Sequence, residues 1–91
     1  MSEHAEVVMY GTLVCPYCHA AREFLEARSV SFVDIRVDQE PARREEMRAR
    51  GGGHTVPQIW IGEVHVGGFT DMLALERQGR LDSLLRPGAF E

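Results

Sequence analysis

Val7-Val8-Met9-Tyr10-Gly11-Thr12-Leu13-Val14-Cys15-Pro16-Tyr17-Cys18 is the stretch around which the rest of the chain is organised. Its first four residues are apolar and partly β-branched, the pattern of a buried strand, and Gly11 ends it. Beyond the second cysteine, Ala21, Phe24 and Leu25 recur at i, i+3 and i+4. A helix is therefore expected over about Tyr17–Arg28, with Pro16 at its first position, where a missing N–H is tolerated. A strand that leads into C-x-x-C and then a helix sets its first sulfur among the unpaired amides of the helix start, where negative charge is favoured. Cys15 and Cys18 are the only two cysteines, and together they read as a redox dithiol.

Downstream, Ser31–Val37 alternates Phe32, Asp34 and Arg36 against Val33, Ile35 and Val37, which is a strand signature. The Glu40-Pro41 step starts a second helix that stops at the triple glycine Gly51-Gly52-Gly53. Ile59-Trp60-Ile61 and Val64-His65-Val66 flank Gly62-Glu63 and form a hairpin pattern, followed by a turn at Gly67-Gly68. Thr70 is the expected N-cap of a helix carrying Phe69, Met72 and Leu73, and Leu81, Leu84 and Leu85 mark a last short helix. The order β-α-β-α-β-β-α plus a terminal helix predicts an α/β fold with a four-stranded mixed sheet, its first crossover parallel and right-handed and its hairpin antiparallel. A chain of 91 residues is expected to make one domain, 1–91.

A formal net charge of −4 opposes binding to nucleic acid or to an anionic membrane surface. Arg43, Arg44, Arg48 and Arg50 interleave with Glu40, Glu45 and Glu46, as on a solvated helix face laced with ion pairs. The first residues are acidic where a secretory leader would be basic, and no apolar run approaches the length of a membrane span. A cytoplasmic protein is expected. In that reducing compartment an i, i+3 cysteine pair is a poor structural staple, which leaves chemistry as its role.

The two thiols are not expected to be equivalent. With a helix starting at Pro16, Cys15 lies just before it and Cys18 is shielded inside the first turn, so Cys15 is the nucleophile and Cys18 the resolving thiol. His4, His19, His54 and His65 lack the spacing of a structural zinc site. Cys15-Pro16-Tyr17-Cys18-His19 also satisfies the pattern of covalent haem attachment, a chemistry of exported proteins. Trp60, between Ile59 and Ile61, is expected to be a structural sheet residue.

Taken in order, Cys15-Pro16-Tyr17-Cys18, Thr55-Val56-Pro57-Gln58, Gly67-Gly68 and Asp71 resemble a dithiol glutaredoxin of the small bacterial type, over nearly the whole chain from Val7 to Leu85. The resemblance implies the thioredoxin fold and a glutathione-dependent thiol–disulfide oxidoreductase, a place in electron transport and redox homeostasis, and glutathione as co-substrate with no metal. It further implies a cis Val56–Pro57 peptide after Thr55, with the Val56 backbone pairing with glutathione. Gly68, Phe69, Thr70 and Asp71 would receive the γ-glutamyl end, Tyr17 would lean over the groove, and Gln58 would serve as a polar contact. At Thr12 glutaredoxins commonly carry a lysine. No such cation stands here, so weaker glutathione binding is expected, with His54 as a substitute donor. The implied partners of this monomer are glutathionylated proteins and disulfide-bearing proteins such as ribonucleotide reductase, the latter leaving Cys15 and Cys18 joined as a redox-active disulfide. Two alternatives remain at this point. A glutathione-ligated [2Fe–2S] carrier usually has serine as the last motif residue, against Cys18 here, and a thioredoxin-like reductase would show Trp-Cys-Gly-Pro-Cys.

Overall fold

The structure, a computed structural model, describes residues 4–86, so both ends of the expected 1–91 domain lie outside the described residues. Eight elements follow in order: β1 Val7–Gly11, α1 Pro16–Ala27, β2 Val33–Arg36, α2 Pro41–Ala49, β3 Gln58–Ile61, β4 Val64–Gly67, α3 Phe69–Arg77 and α4 Leu81–Leu85. The strands form one four-stranded sheet in the order β2-β1-β3-β4. β1 pairs parallel with β2 and antiparallel with β3, and β3 pairs antiparallel with β4. This is the expected mixed sheet.

The two-residue period of the strands divides the core between the two faces of the sheet. Val7, Met9, Ile59 and Ile61 point to one side, where Ala21 and Leu25 of α1, Met72 of α3, and Leu81 and Leu85 of α4 close over them. Val8, Tyr10, Ile35, Val37 and Trp60 point to the other, against Met47 of α2. A side chain as fully buried as Leu25 contributes about 1.5–3 kcal/mol to folding. β1 is covered on both faces, which accounts for its unbroken apolar run.

Three expectations change in the folded chain. The strand expected over Ser31–Val37 contracts to Val33–Arg36; it lies at the sheet edge, where Val33 is exposed and Phe32 turns back onto the α1 side of the core. The N-cap of α3 is Gly68, and Thr70 sits inside the first turn. Asp71 decides this, because its Oδ2 accepts the Gly68 N–H at 2.8 Å, while the Phe69 ring packs edge-on against Phe24 with centroids 6.3 Å apart. Finally, α2 is more than a solvated face. Arg43–Glu46 and Arg48–Glu45 pair as expected, at 2.7 and 3.2 Å. Glu46 and Arg50, however, turn toward the sheet, where the Tyr10 hydroxyl donates to Glu46 at 2.5 Å and accepts from Arg50 at 2.9 Å.

Candidate active site

Cys15 is the N-cap of α1, with extended backbone angles, and its Sγ accepts the Cys18 amide at 3.2 Å. The same sulfur lies 3.7 Å from the Val56 carbonyl oxygen, toward which the thiol donates. Pro16 supplies the first helical position without an amide to satisfy, so the amide directed at the sulfur is that of Cys18. Cys15 is half-buried, Cys18 is buried, and both are free thiols. Burial pushes the Cys18 thiol up to about 11, and the neighbouring Cys15 sulfur adds to the rise. The arrangement therefore separates an accessible sulfur held at the positive end of a helix from a shielded one a single turn away.

The loop before Cys15 is tied down by its backbone. Asp38 accepts the Leu13 amide at 3.3 Å, His19 Nε2 meets the Leu13 carbonyl at 2.5 Å, and Arg22 Nη2 donates to the Thr12 carbonyl at 3.2 Å. The Leu13 and Val14 side chains remain exposed beside Cys15.

Next to the sulfur runs a groove of about 500 Å³. Tyr17, Thr55, Val56, Pro57, Gln58, Gly68, Phe69, Thr70 and Asp71, all expected from the sequence, line it. The Val56–Pro57 peptide is cis. Thr12 is not in the lining: its side chain is half-buried while its carbonyl holds Arg22. Nor is His54 among the lining residues, and it gives no substitute cation there.

Gly52 and His65 line the groove without having been foreseen, and Gly67, quoted from the sequence only as part of the Gly67-Gly68 motif, joins them. Gln58 donates from Nε2 to Thr55 Oγ1 at 3.0 Å and turns its Oε1 to His65 Nε2 at 2.6 Å, so the imidazole nitrogen is the donor. His65 in turn stacks on Trp60. The signal for His65 lay in the hairpin register, since the residue paired with Trp60 shares its side of the sheet with Gln58. Gly52 approaches Trp60 so closely that a Cβ there would meet the indole at 2.8 Å.

The family model for glutaredoxin matches residues 7–66. The chain belongs to the glutaredoxin family. A glutaredoxin of Pseudomonas aeruginosa is 52% identical over 79 residues, covering 87% of this chain and 94% of that protein. The solution structure of glutaredoxin from Brucella melitensis superposes with a TM-score of 0.80 at 44% identity, over 96% of this chain and 95% of that one. A crystal structure of a buckwheat glutaredoxin–glutathione complex matches with a TM-score of 0.79 at 27% identity, over 87% of this chain and 74% of that one. The sheet and helices described above are accordingly the thioredoxin fold of glutaredoxins. Glutaredoxins are glutathione-dependent disulfide oxidoreductases, and this member carries that activity with its cysteine pair at the expected strand-to-helix junction.

Proposed function

We propose that Cys15 is the attacking sulfur, that the groove beside it seats glutathione, and that Cys18 is the resolving thiol. One observation carries the reading: the half-buried Cys15 Sγ, with the Cys18 amide on it, sits at the Val56 end of a groove that ends at the start of α3. In the monothiol route the Cys15 thiolate attacks the glutathionyl sulfur of a protein–glutathione mixed disulfide. The old S–S bond breaks, and the protein sulfur leaves and takes up a proton. A second glutathione thiolate then attacks the glutathionyl sulfur on Cys15, which releases glutathione disulfide and restores the thiolate. In the dithiol route Cys15 attacks a protein disulfide, Cys18 attacks Cys15, and the enzyme leaves oxidised until two glutathiones reduce it.

The chemistry of the groove fits a γ-glutamyl tripeptide. Val56 offers backbone hydrogen bonds to the cysteinyl residue in the manner of an added strand. The amides of Phe69 and Thr70 in the first turn of α3 suit the γ-glutamyl carboxylate. Asp71 uses Oδ2 for Gly68, which leaves Oδ1 for the ammonium group. Tyr17 covers the groove near the sulfur, and Gln58, with Thr55 and His65 behind it, meets the glycyl end that a lysine at position 12 would otherwise attract.

The partners in this reading are glutathionylated proteins and proteins with reducible disulfides, ribonucleotide reductase among them, met by a monomer in the cytoplasm. No described helix is long and apolar enough to cross a membrane. The reading involves no metal, so anaerobic reconstitution with iron and sulfide is expected to leave the protein colourless. The deciding assay follows reduction of a small glutathione mixed disulfide with glutathione, glutathione reductase and NADPH. Cys15→Ser is expected to abolish turnover of both this substrate and a protein disulfide, and Cys18→Ser to abolish only the second. Loss of both in Cys18→Ser refutes the division between the thiols.

A further inference from the structure

The resolving thiol has a harder task than the nucleophile. Cys18 must react as a thiolate from a position sealed off from solvent, and burial works against that charge. The groups that face its sulfur are few. Cys15 lies one turn before it, its Sγ accepting the Cys18 amide, and the Thr12 backbone faces it from the loop after β1. Arg22 lies one turn after it on α1, at the i+4 position of the same helix face.

Arg22 is held with little freedom. Its Nε reaches Asp34 Oδ2 at 2.8 Å, and its Nη2 reaches Asp34 Oδ1 at 3.3 Å and the Thr12 carbonyl at 3.2 Å. The side chain is 14% exposed, against 36% for Asp34. The guanidinium therefore sits on the protein side of its pair, with the carboxylate toward solvent. Gly11 fixes where the two groups converge: a Cβ at that residue would lie 3.0 Å from Cys18 Sγ and 3.4 Å from Arg22 Nη2. Sulfur and guanidinium thus share the space that a side chain at position 11 would fill, and the Thr12 carbonyl beside them accepts from the cation.

We infer that Arg22 is a positioning residue for the resolving step: anchored by Asp34 and the Thr12 carbonyl, it holds a fixed positive charge beside the buried Cys18 sulfur and supports the thiolate through which that sulfur attacks. The inference rests on the reading of Cys18 as resolving thiol. In the step concerned, Cys18 loses its proton and its thiolate attacks Cys15 Sγ of the Cys15–partner disulfide. The Cys15–Cys18 bond forms, the Cys15–partner bond breaks, and the partner sulfur leaves with the electron pair and takes up a proton. Two electrons pass from the enzyme dithiol to the partner, and glutathione later restores them. Arg22 also joins α1 to β2. That structural role and the electrostatic one make different predictions when the charge on either side of the ion pair is removed.

The test compares Arg22→Gln and Asp34→Asn in the full chain. In a Cys15→Ser background, the pH dependence of Cys18 alkylation is expected to move up in Arg22→Gln. It is expected to move down in Asp34→Asn, where the cation is no longer offset, and to return toward the parent in Arg22→Lys. With both cysteines present, an upward move of the Cys18 titration by one pH unit removes about tenfold of the thiolate, and a Brønsted slope of about 0.4–0.5 recovers part of it. The protein-disulfide rate should therefore fall about three- to fourfold further than the mixed-disulfide rate in Arg22→Gln. Shifts of the same sign in the two variants, no shift, or equal loss of both rates overturn the inference. If Arg22→Gln does not fold, the direction of the Asp34→Asn shift decides alone. Failure of the underlying reading looks different: Cys18→Ser would then leave protein-disulfide reduction intact, whatever the Arg22 variants do.

Discussion

Trp60 and His65 are register partners across β3 and β4, and their rings stack with centroids 4.4 Å apart and planes 20° from parallel. The guanidinium of Arg50 lies over the same indole at 4.5 Å. Since His65 lines the groove, the only tryptophan of the chain is one side chain away from the groove proposed to seat glutathione. Titrating glutathione into the oxidised protein is expected to change the Trp60 emission. His65→Ala should abolish most of that change and cost about 1 kcal/mol of stability through the lost stacking. Fluorescence titration and denaturant unfolding check the two parts; an undiminished emission change in the variant would disconnect Trp60 from the groove.

Gly67 and Gly79 both have positive φ, at +106° and +70°, but their surroundings differ. A Cβ at Gly67 would lie 2.5 Å from Asp71 Oδ2, whereas one at Gly79 meets nothing within 4 Å. Gly79→Ala is expected to show the backbone cost alone, about 1 kcal/mol. Gly67→Ala adds the displacement of the Asp71 carboxylate from the Gly68 amide, for about 2–3 kcal/mol in all, together with a raised KM for glutathione. Thermal melts of the two variants separate the contributions.

The raised titration of Cys18 makes the stability of the reduced protein depend on alkaline pH. An unfolded thiol loses its proton near pH 8.5–9, whereas the folded one keeps it to about 11. Between those values the native state holds a proton that the unfolded state has lost. Stability is therefore full below about pH 8.5 and falls as pH rises toward 11, by on the order of 2 kcal/mol. Tyr10 is also raised, mainly by burial, and adds to the same slope. Denaturant unfolding of the reduced wild type and Cys18→Ala at pH 8 and pH 10.5 isolates the cysteine: the loss should be smaller in the variant.

Thr12 carries no charge, and none of the residues that line the groove is Lys or Arg. Thr12→Lys is expected to lower the KM for a glutathione mixed disulfide by up to about fivefold, the upper range for one exposed ion pair. The gain should shrink as salt is raised from low to physiological ionic strength. Steady-state kinetics at two salt concentrations are sufficient. An unchanged KM would mean that Gln58 and its neighbours already satisfy the carboxylate.

Much of the site was legible because it rests on local rules. Cys15 as N-cap and Cys18 as the shielded partner follow from a proline at the first helical position and a spacing of three. Thr55–Gln58 and Gly68–Asp71 lie in the two turns that the resemblance singled out, and both turns line the groove. Thr70 was misplaced as N-cap because the rule that favours Ser and Thr there ignores the residue three positions after the true cap; Asp71 supplies the missing acceptor from inside the helix. His65 and Gly52 went unseen for another reason. Neither carries a local signature, and each reaches the groove through a packing partner, Trp60, that is distant from Gly52 in sequence and opposite His65 only once the hairpin register is set.

By itself the sequence determined the order of strands and helices, the two-faced core, the pair of unequal thiols and the family. Those properties depend on periodicity, caps and turn residues, which act over a few positions of chain. Only the tertiary structure decided that Arg22 shares the space above Gly11 with the Cys18 sulfur, that Glu46 and Arg50 turn in from a charged helix to hold Tyr10, and that the Thr12 carbonyl accepts from Arg22. Charges and carbonyls from separate elements meet there. Their proximity is set by how α1, α2 and the sheet pack together, and no pattern within a single segment encodes it.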